Sequence, residues 1–157
     1  MKIIIFASLF CLLFCVSAFS QESQKIDEFE NLPCDEYLGR IDFFISEARK
    51  NPSSTIYVLV YEGKVLKYNA NKNRTESVFP TVGSAKAKIS SIKKRLEFRE
   101  VEAERFRFVK AGFRENSTVE IWLVPDVATP PKATPTLTKM KYRKGKAFGF
   151  CLECCGP

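Results

Sequence analysis

The sequence predicts an α+β domain, a sandwich of one mixed sheet with two helices on one face. Three features carry that expectation. Tyr37, Leu38, Ile41, Phe44, Ile45 and Ala48 recur at helical spacing. Thr55 to Tyr61 is a near-continuous run of β-branched and aromatic residues. A second helical stripe, Ala85, Ile89, Ile92 and Leu96, is followed by two strand-like segments.

Taken in order, Lys25 to Glu30 holds Ile26 and Phe29 as its apolar residues and reads as an edge strand. Pro33-Cys34-Asp35-Glu36 reads as a helix start, because acids in a first turn complement the helix dipole. Arg49 and Lys50 suit the last turn, and Asn51-Pro52 ends the helix. Thr55–Tyr61 is bounded by Pro52-Ser53-Ser54 and Gly63 and reads as a central strand buried on both faces. Glu62-Gly63-Lys64 is expected to turn it into a second strand, Val65 to Tyr68, followed by a polar loop from Asn69 to Thr75. Ser84 is the expected cap of the second helix, whose other side holds Lys86, Lys88, Lys93, Lys94 and Arg95. Phe106, Phe108 and Val109 make a strand, Gly112 to Asn116 a turn or loop, and Val119 to Val124 a last strand that Pro125 stops. The predicted order is βαβαββ.

The ends of the chain differ from its middle. Met1-Lys2, the apolar run Ile3 to Val16 and the small residues of Ala18-Phe19-Ser20 read as a secretory signal peptide over 1–20, cut near Ser20. The expected organisation is that signal, an α/β domain over 21–125, a Pro/Thr-rich spacer over 126–138 and a basic cysteine-containing tail over 139–157. Export places the mature chain in a periplasmic or extracellular space, where thiols oxidise. Removing the signal leaves 24 basic against 18 acidic residues, a formal charge of +6. That charge suits an anionic partner such as lipid headgroups or acidic polysaccharide, and export disfavours nucleic acid. The chain holds no His, so Ser-His and Cys-His nucleophile pairs and imidazole zinc sites are excluded. Asn73-Arg74-Thr75 and Asn116-Ser117-Thr118 match glycosylation sequons, a pattern short enough to arise by chance.

This element order, with these residues in it, resembles the OmpA-like domain, a module that bacterial envelope proteins use to bind peptidoglycan. The resemblance covers Lys25 to Val124. Ile26-Asp27-Glu28-Phe29 stands where the family has a phenylalanine-bearing first strand, and Leu38 to Pro52 resembles its first helix. Ile56 to Tyr61 is similar to the strand that leads to the ligand loop. Lys88 to Leu96 sits on the second-helix pattern Arg-Ala-x-x-Val-x-x-Tyr-Leu, and Val119-Glu120-Ile121 resembles the final Val-Glu-Ile strand. Where the family runs into Gly-His-Thr-Asp, this chain has Tyr61-Glu62-Gly63-Lys64, and Lys88 replaces the helix arginine. Lysine lacks the bidentate fork that grips a carboxylate. The resemblance therefore implies an OmpA-like frame without the usual Asp/Arg ligand signature, with Lys88 and Glu62 as the residues left for a degenerate peptidoglycan contact. The chain also resembles short exported bacterial proteins that carry a reduced form of this domain ending in Val-Glu-Ile-Trp-Leu-Val-Pro.

Four cysteines remain after the signal: Cys34, Cys151, Cys154 and Cys155. A structural disulfide from Cys34 is expected, with Cys151 the first-choice partner and Cys154 and Cys155 as alternatives, because spacing leaves connectivity open. Cys151-x-x-Cys154 lies at the chain end, unlike a thioredoxin-type redox motif at a helix start, and no metal or cofactor is expected. Lys139, Lys141, Arg143, Lys144 and Lys146 are interleaved with or followed by Met140, Tyr142, Phe148 and Phe150, giving either a contact for anionic lipid or polysaccharide or a solvated charged strand. The expectation is a non-catalytic, exported binding or scaffolding protein of the cell envelope, with no transmembrane segment in the mature chain. The alternatives are a secreted interaction or effector-like protein acting through its tail and, behind that, a thiol-disulfide oxidoreductase.

Overall fold

The computed structural model describes residues 22–147. The predicted signal segment and Cys151, Cys154 and Cys155 lie outside the described residues. The elements are β1 (Gln24–Phe29), α1 (Cys34–Lys50), β2 (Ser54–Asn69), β3 (Arg74–Val78), α2 (Ser84–Phe98), β4 (Phe106–Asn116) and β5 (Thr118–Pro125). Short 3-10 turns at Ala70–Lys72 and Ala103–Arg105 complete them. The protein is α+β, with a curled five-stranded sheet whose pairings are antiparallel except for parallel β2 and β4.

The first half of β2 is the centre of this sheet. Ile56 to Val60 pair with β5 on one side and β4 on the other, and β1 adds to the far edge of β5. The second half of β2, Val65 to Asn69, leaves those partners and pairs with β3. Alternation along the strand assigns the two faces. Ile56, Val58 and Val60 join Phe106, Val119 and Ile121 beneath the helices. Tyr37, Ile41, Phe44, Ile45 and Ala48 of α1 and Ala85, Ile92 and Leu96 of α2 close that core. Both helices therefore cover one face, and each large apolar side chain buried there stabilises by about 1.5–3 kcal/mol. Phe29 meets Tyr37 edge-on at 5.6 Å, docking β1 against the start of α1. The Arg95 guanidinium grips Asp42 with two bonds of 3.1 and 2.7 Å, and Arg99 adds another at 3.1 Å, so α1 and α2 are also tied across their exposed edges. Burial pushes the Asp42 carboxyl up, but these arginine hydrogen bonds outweigh it and hold it below its ordinary value.

The opposite face carries Leu59, Tyr61 and Ala111, flanked by Tyr57, Val109 and Trp122. The described tail folds back toward it. The Thr134 amide donates to the Tyr61 hydroxyl at 3.0 Å, and the Thr136 and Leu137 amides donate to the Phe113 carbonyl at 2.9 and 3.1 Å. The stretch expected as a spacer is thus extended but fastened to the sheet.

Three local expectations are corrected. The chain does not turn at Glu62-Gly63-Lys64; β2 runs straight through it. A Cβ on Gly63 would lie 2.2 Å from the Asn116 carbonyl carbon, so this glycine serves close backbone approach rather than a turn. Gly112 adopts φ +93° inside β4, where the register with β2 slips between Val60 and Glu62, so it marks a bulge in a continuing strand. The loop expected at Asn69 to Thr75 is instead a 3-10 turn that starts β3 at Arg74. The order becomes βαββαββ because β3, which forms a hairpin with the second half of β2, is inserted before α2.

Candidate functional site

α2 begins at Ser84, but its N-cap is Gly83 at φ +84°, which supplies no side-chain acceptor. Glu62 supplies one from β2: its Oε1 accepts the Ala85 amide at 2.9 Å. A carboxylate at that end of a helix also complements the helix dipole. Its other oxygen accepts the hydroxyl of Tyr142 from the tail. Burial, then the bond to Glu62, push the Tyr142 phenol up to about 12.

Lys88 lies one turn further along α2 and is 5% exposed. Its Nζ donates to the Ser117 hydroxyl at 2.9 Å, and that hydroxyl in turn bonds the Tyr61 carbonyl at 3.3 Å. Burial pushes the Lys88 ammonium down to about 8. The structure therefore brings Glu62 and Lys88 to neighbouring turns at the start of α2. Both are engaged with the protein itself: Glu62 holds the helix and the tail, and Lys88 ties α2 to the β4–β5 link.

The basic residues of the tail divide into two kinds. Arg143 is structural: its amide donates to the Pro80 carbonyl at 2.9 Å and its Nε to the Phe79 carbonyl at 3.0 Å. Lys139, Lys141, Lys144 and Lys146 are exposed. From residue 126 to residue 147 the tail carries six basic residues and one acid, Asp126. Beside it Phe79 is 40% and Leu137 41% exposed, so the surface is both cationic and apolar.

Sequence reasoning missed the polar cluster that fastens the tail. Glu120 is 3% exposed on the face away from the helices. It accepts bonds from Arg114 at 2.6 Å, Trp122 at 3.1 Å and the Tyr61 hydroxyl at 3.2 Å. The Arg114 guanidinium lies 3.7 Å from the Tyr61 ring centroid and donates to the Thr134 hydroxyl at 2.8 Å. Burial pushes the Glu120 carboxyl up, but bonds from Arg114 and Trp122 prevail and hold it below its ordinary value. The available signal was strand alternation: Glu120 and Trp122 share a face between the apolar Val119, Ile121 and Leu123.

Cys34, at the first position of α1, is disulfide-bonded. Its expected partners, Cys151 or else Cys154 or Cys155, lie outside the described residues. Among the described residues, no group of three or more His, Cys, Asp or Glu could hold a metal ion. No helix among them is long and apolar enough to cross a membrane. No family model matches this chain, and no curated protein or solved structure is detectably similar to it.

Proposed function

We propose that this chain is a non-catalytic, exported binding or scaffolding protein of the cell envelope, built on an OmpA-like frame. Its contact surface is the basic face of the folded-back tail. The observation that carries the reading is the division of labour in that tail. Thr134, Tyr142 and Arg143 are spent on fixing it to the domain, while Lys139, Lys141, Lys144 and Lys146 are left facing outward. A segment whose only task was to carry solvated charge would need no such anchoring. A fixed array of ammonium groups loses less entropy on meeting an anionic surface. The apolar side chains beside it favour a lipid surface over a purely polar polyanion.

The mixed sheet with both helices on one face supports the OmpA-like frame. The engagement of Lys88 and Glu62 inside the protein weighs against a degenerate peptidoglycan contact through them. The reading is non-catalytic because the sequence has no His and pairs no nucleophile with a base.

The test incubates the mature, oxidised protein with phosphatidylglycerol vesicles, phosphatidylcholine vesicles and purified sacculi, each followed by sedimentation. Retention on phosphatidylglycerol alone supports the tail as the contact surface. Retention on sacculi that is lost on Lys88→Ala would replace it with the helix site. Retention on neither overturns the envelope reading.

A further inference from the structure

Where the tail crosses the sheet edge it walls an open groove of about 440 Å³. Phe79, Leu137 and Met140 supply its apolar lining, and Lys64, Lys139 and Lys141 its cations. The single acid there, Glu115, is already paired with Lys64 at 3.3 Å. The Lys64 ammonium also lies 6.0 Å from the Phe79 ring centroid, which fixes one wall. The Leu137 amide bond to the Phe113 carbonyl fixes the backbone from which that side chain lines the groove. The groove has the volume of a small-molecule site and the usual mixture of apolar walls and a few charged groups.

We infer that this groove seats one acyl chain of an anionic membrane lipid, with the headgroup phosphate against Lys139 and Lys141. The inference rests on the envelope-surface reading above and names what the surface grips. Charge complementarity selects the occupant. With Glu115 neutralised by Lys64, the rim keeps the two tail ammoniums, which suits an anionic headgroup and disfavours a cationic or neutral one. Exposed Phe79 and Leu137 give the chain below that headgroup an apolar partner. Leu66 is 58% exposed and lies two residues beyond Lys64 on the same side of β2, extending the apolar surface toward the membrane.

The test uses the full mature chain carrying Met140→Trp, with phosphatidylglycerol vesicles brominated along their acyl chains. Bromine quenches indole only at near contact, so quenching reports insertion rather than surface adsorption. The expected result, taken as the difference from the wild-type chain whose one indole is Trp122, is quenching of the added tryptophan by brominated phosphatidylglycerol and none by brominated phosphatidylcholine. In the unlabelled chain, Lys139→Ala with Lys141→Ala should weaken binding about thirtyfold, at roughly the usual contribution of one lysine each. Leu137→Ser should remove the part of binding that survives high salt. Binding without quenching, with wild-type affinity in Leu137→Ser, overturns the groove and leaves the surface reading standing. Absence of binding by the wild-type chain overturns both. An emission already blue without lipid, and restored to red by ending the chain at Ala147, would give the groove to the protein's own C-terminal residues instead.

Discussion

The Glu62 carboxylate, on the central strand, accepts the Ala85 amide in the first turn of α2 at 2.9 Å. One strand residue thereby performs the capping that Gly83 cannot, and its second oxygen holds Tyr142 of the tail. Helix, strand and tail meet at a single carboxylate.

Glu62→Ala is expected to lower stability by about 1 kcal/mol, the usual cost of losing a helix cap. It should also speed amide exchange at both Ala85 and Arg143, because the tail loses the Tyr142 bond. Denaturant midpoints and hydrogen exchange check the two effects together. A variant that loosens α2 while leaving the tail protected would show that Tyr142 is not part of the clasp.

Gly63→Ala is expected to destabilise by about 1–3 kcal/mol. The added Cβ meets the backbone of Asn116 and Ser117, which is itself held by the Ser117 amide bond to the Lys64 carbonyl at 2.9 Å. Thermal melts measure the loss. Unchanged stability would mean that β2 and the β4–β5 link do not pack this closely.

The helices were legible because their apolar residues repeat every three or four positions and bury one face, a rule from which, between Tyr37 and Ala48, Phe43 departs at 43% exposed. The central strand was legible for a similar reason, since Ile56 to Tyr61 needs no polar alternation when both faces are covered. The continuation of β2 was not. Glu-Gly-Lys is ordinary turn chemistry, and what makes Gly63 a strand residue is Asn116, fifty-three positions away. At the candidate site the resemblance names Glu62 and Lys88; their bonds to Ala85 and Ser117 join different elements, and local sequence does not carry that information. The Arg114–Glu120 cluster was hidden because its anchor, Thr134, sits in a stretch whose Pro and Thr content reads as plain linker.

Lys88→Met is expected to remove the desolvation cost of the buried ammonium, so that any advantage of the variant over wild type is greatest at pH 7. The folded-state value of about 8 lies below the ordinary lysine value. The folded protein therefore sheds this proton before the unfolded chain does, and wild-type stability gains from rising pH between about 8 and about 10.4. The advantage of the variant should shrink over that window. Urea titrations at pH 7 and pH 9.5 measure it. A constant difference would mean that Lys88 keeps its charge throughout.

Arg114→Met is expected to cost about 1.5–3 kcal/mol at neutral pH, since it removes the charge-assisted bond to the buried Glu120 carboxylate and leaves it the Trp122 and Tyr61 bonds and Lys25 at 3.7 Å. Glu120 is held below its ordinary value, so its pairing stabilises the fold above the unfolded carboxyl value near about 4.3 and is lost as pH falls through the folded value. The gap between wild type and variant should therefore close in acid. Stability curves at pH 7 and pH 3 check this. Thr134 should also lose amide protection in the variant.

The proposed function requires a tail fastened to the domain with its lysines free to meet an anionic envelope surface. The most direct measurement is the affinity of the mature protein for phosphatidylglycerol vesicles as a function of salt, with and without alanine at Lys139, Lys141, Lys144 and Lys146. The predicted result is binding that weakens with salt and falls by roughly a thousandfold in the four-lysine variant, at about 1 kcal/mol for each ammonium. Equal affinity of wild type and variant, or equal binding to phosphatidylcholine, would contradict it.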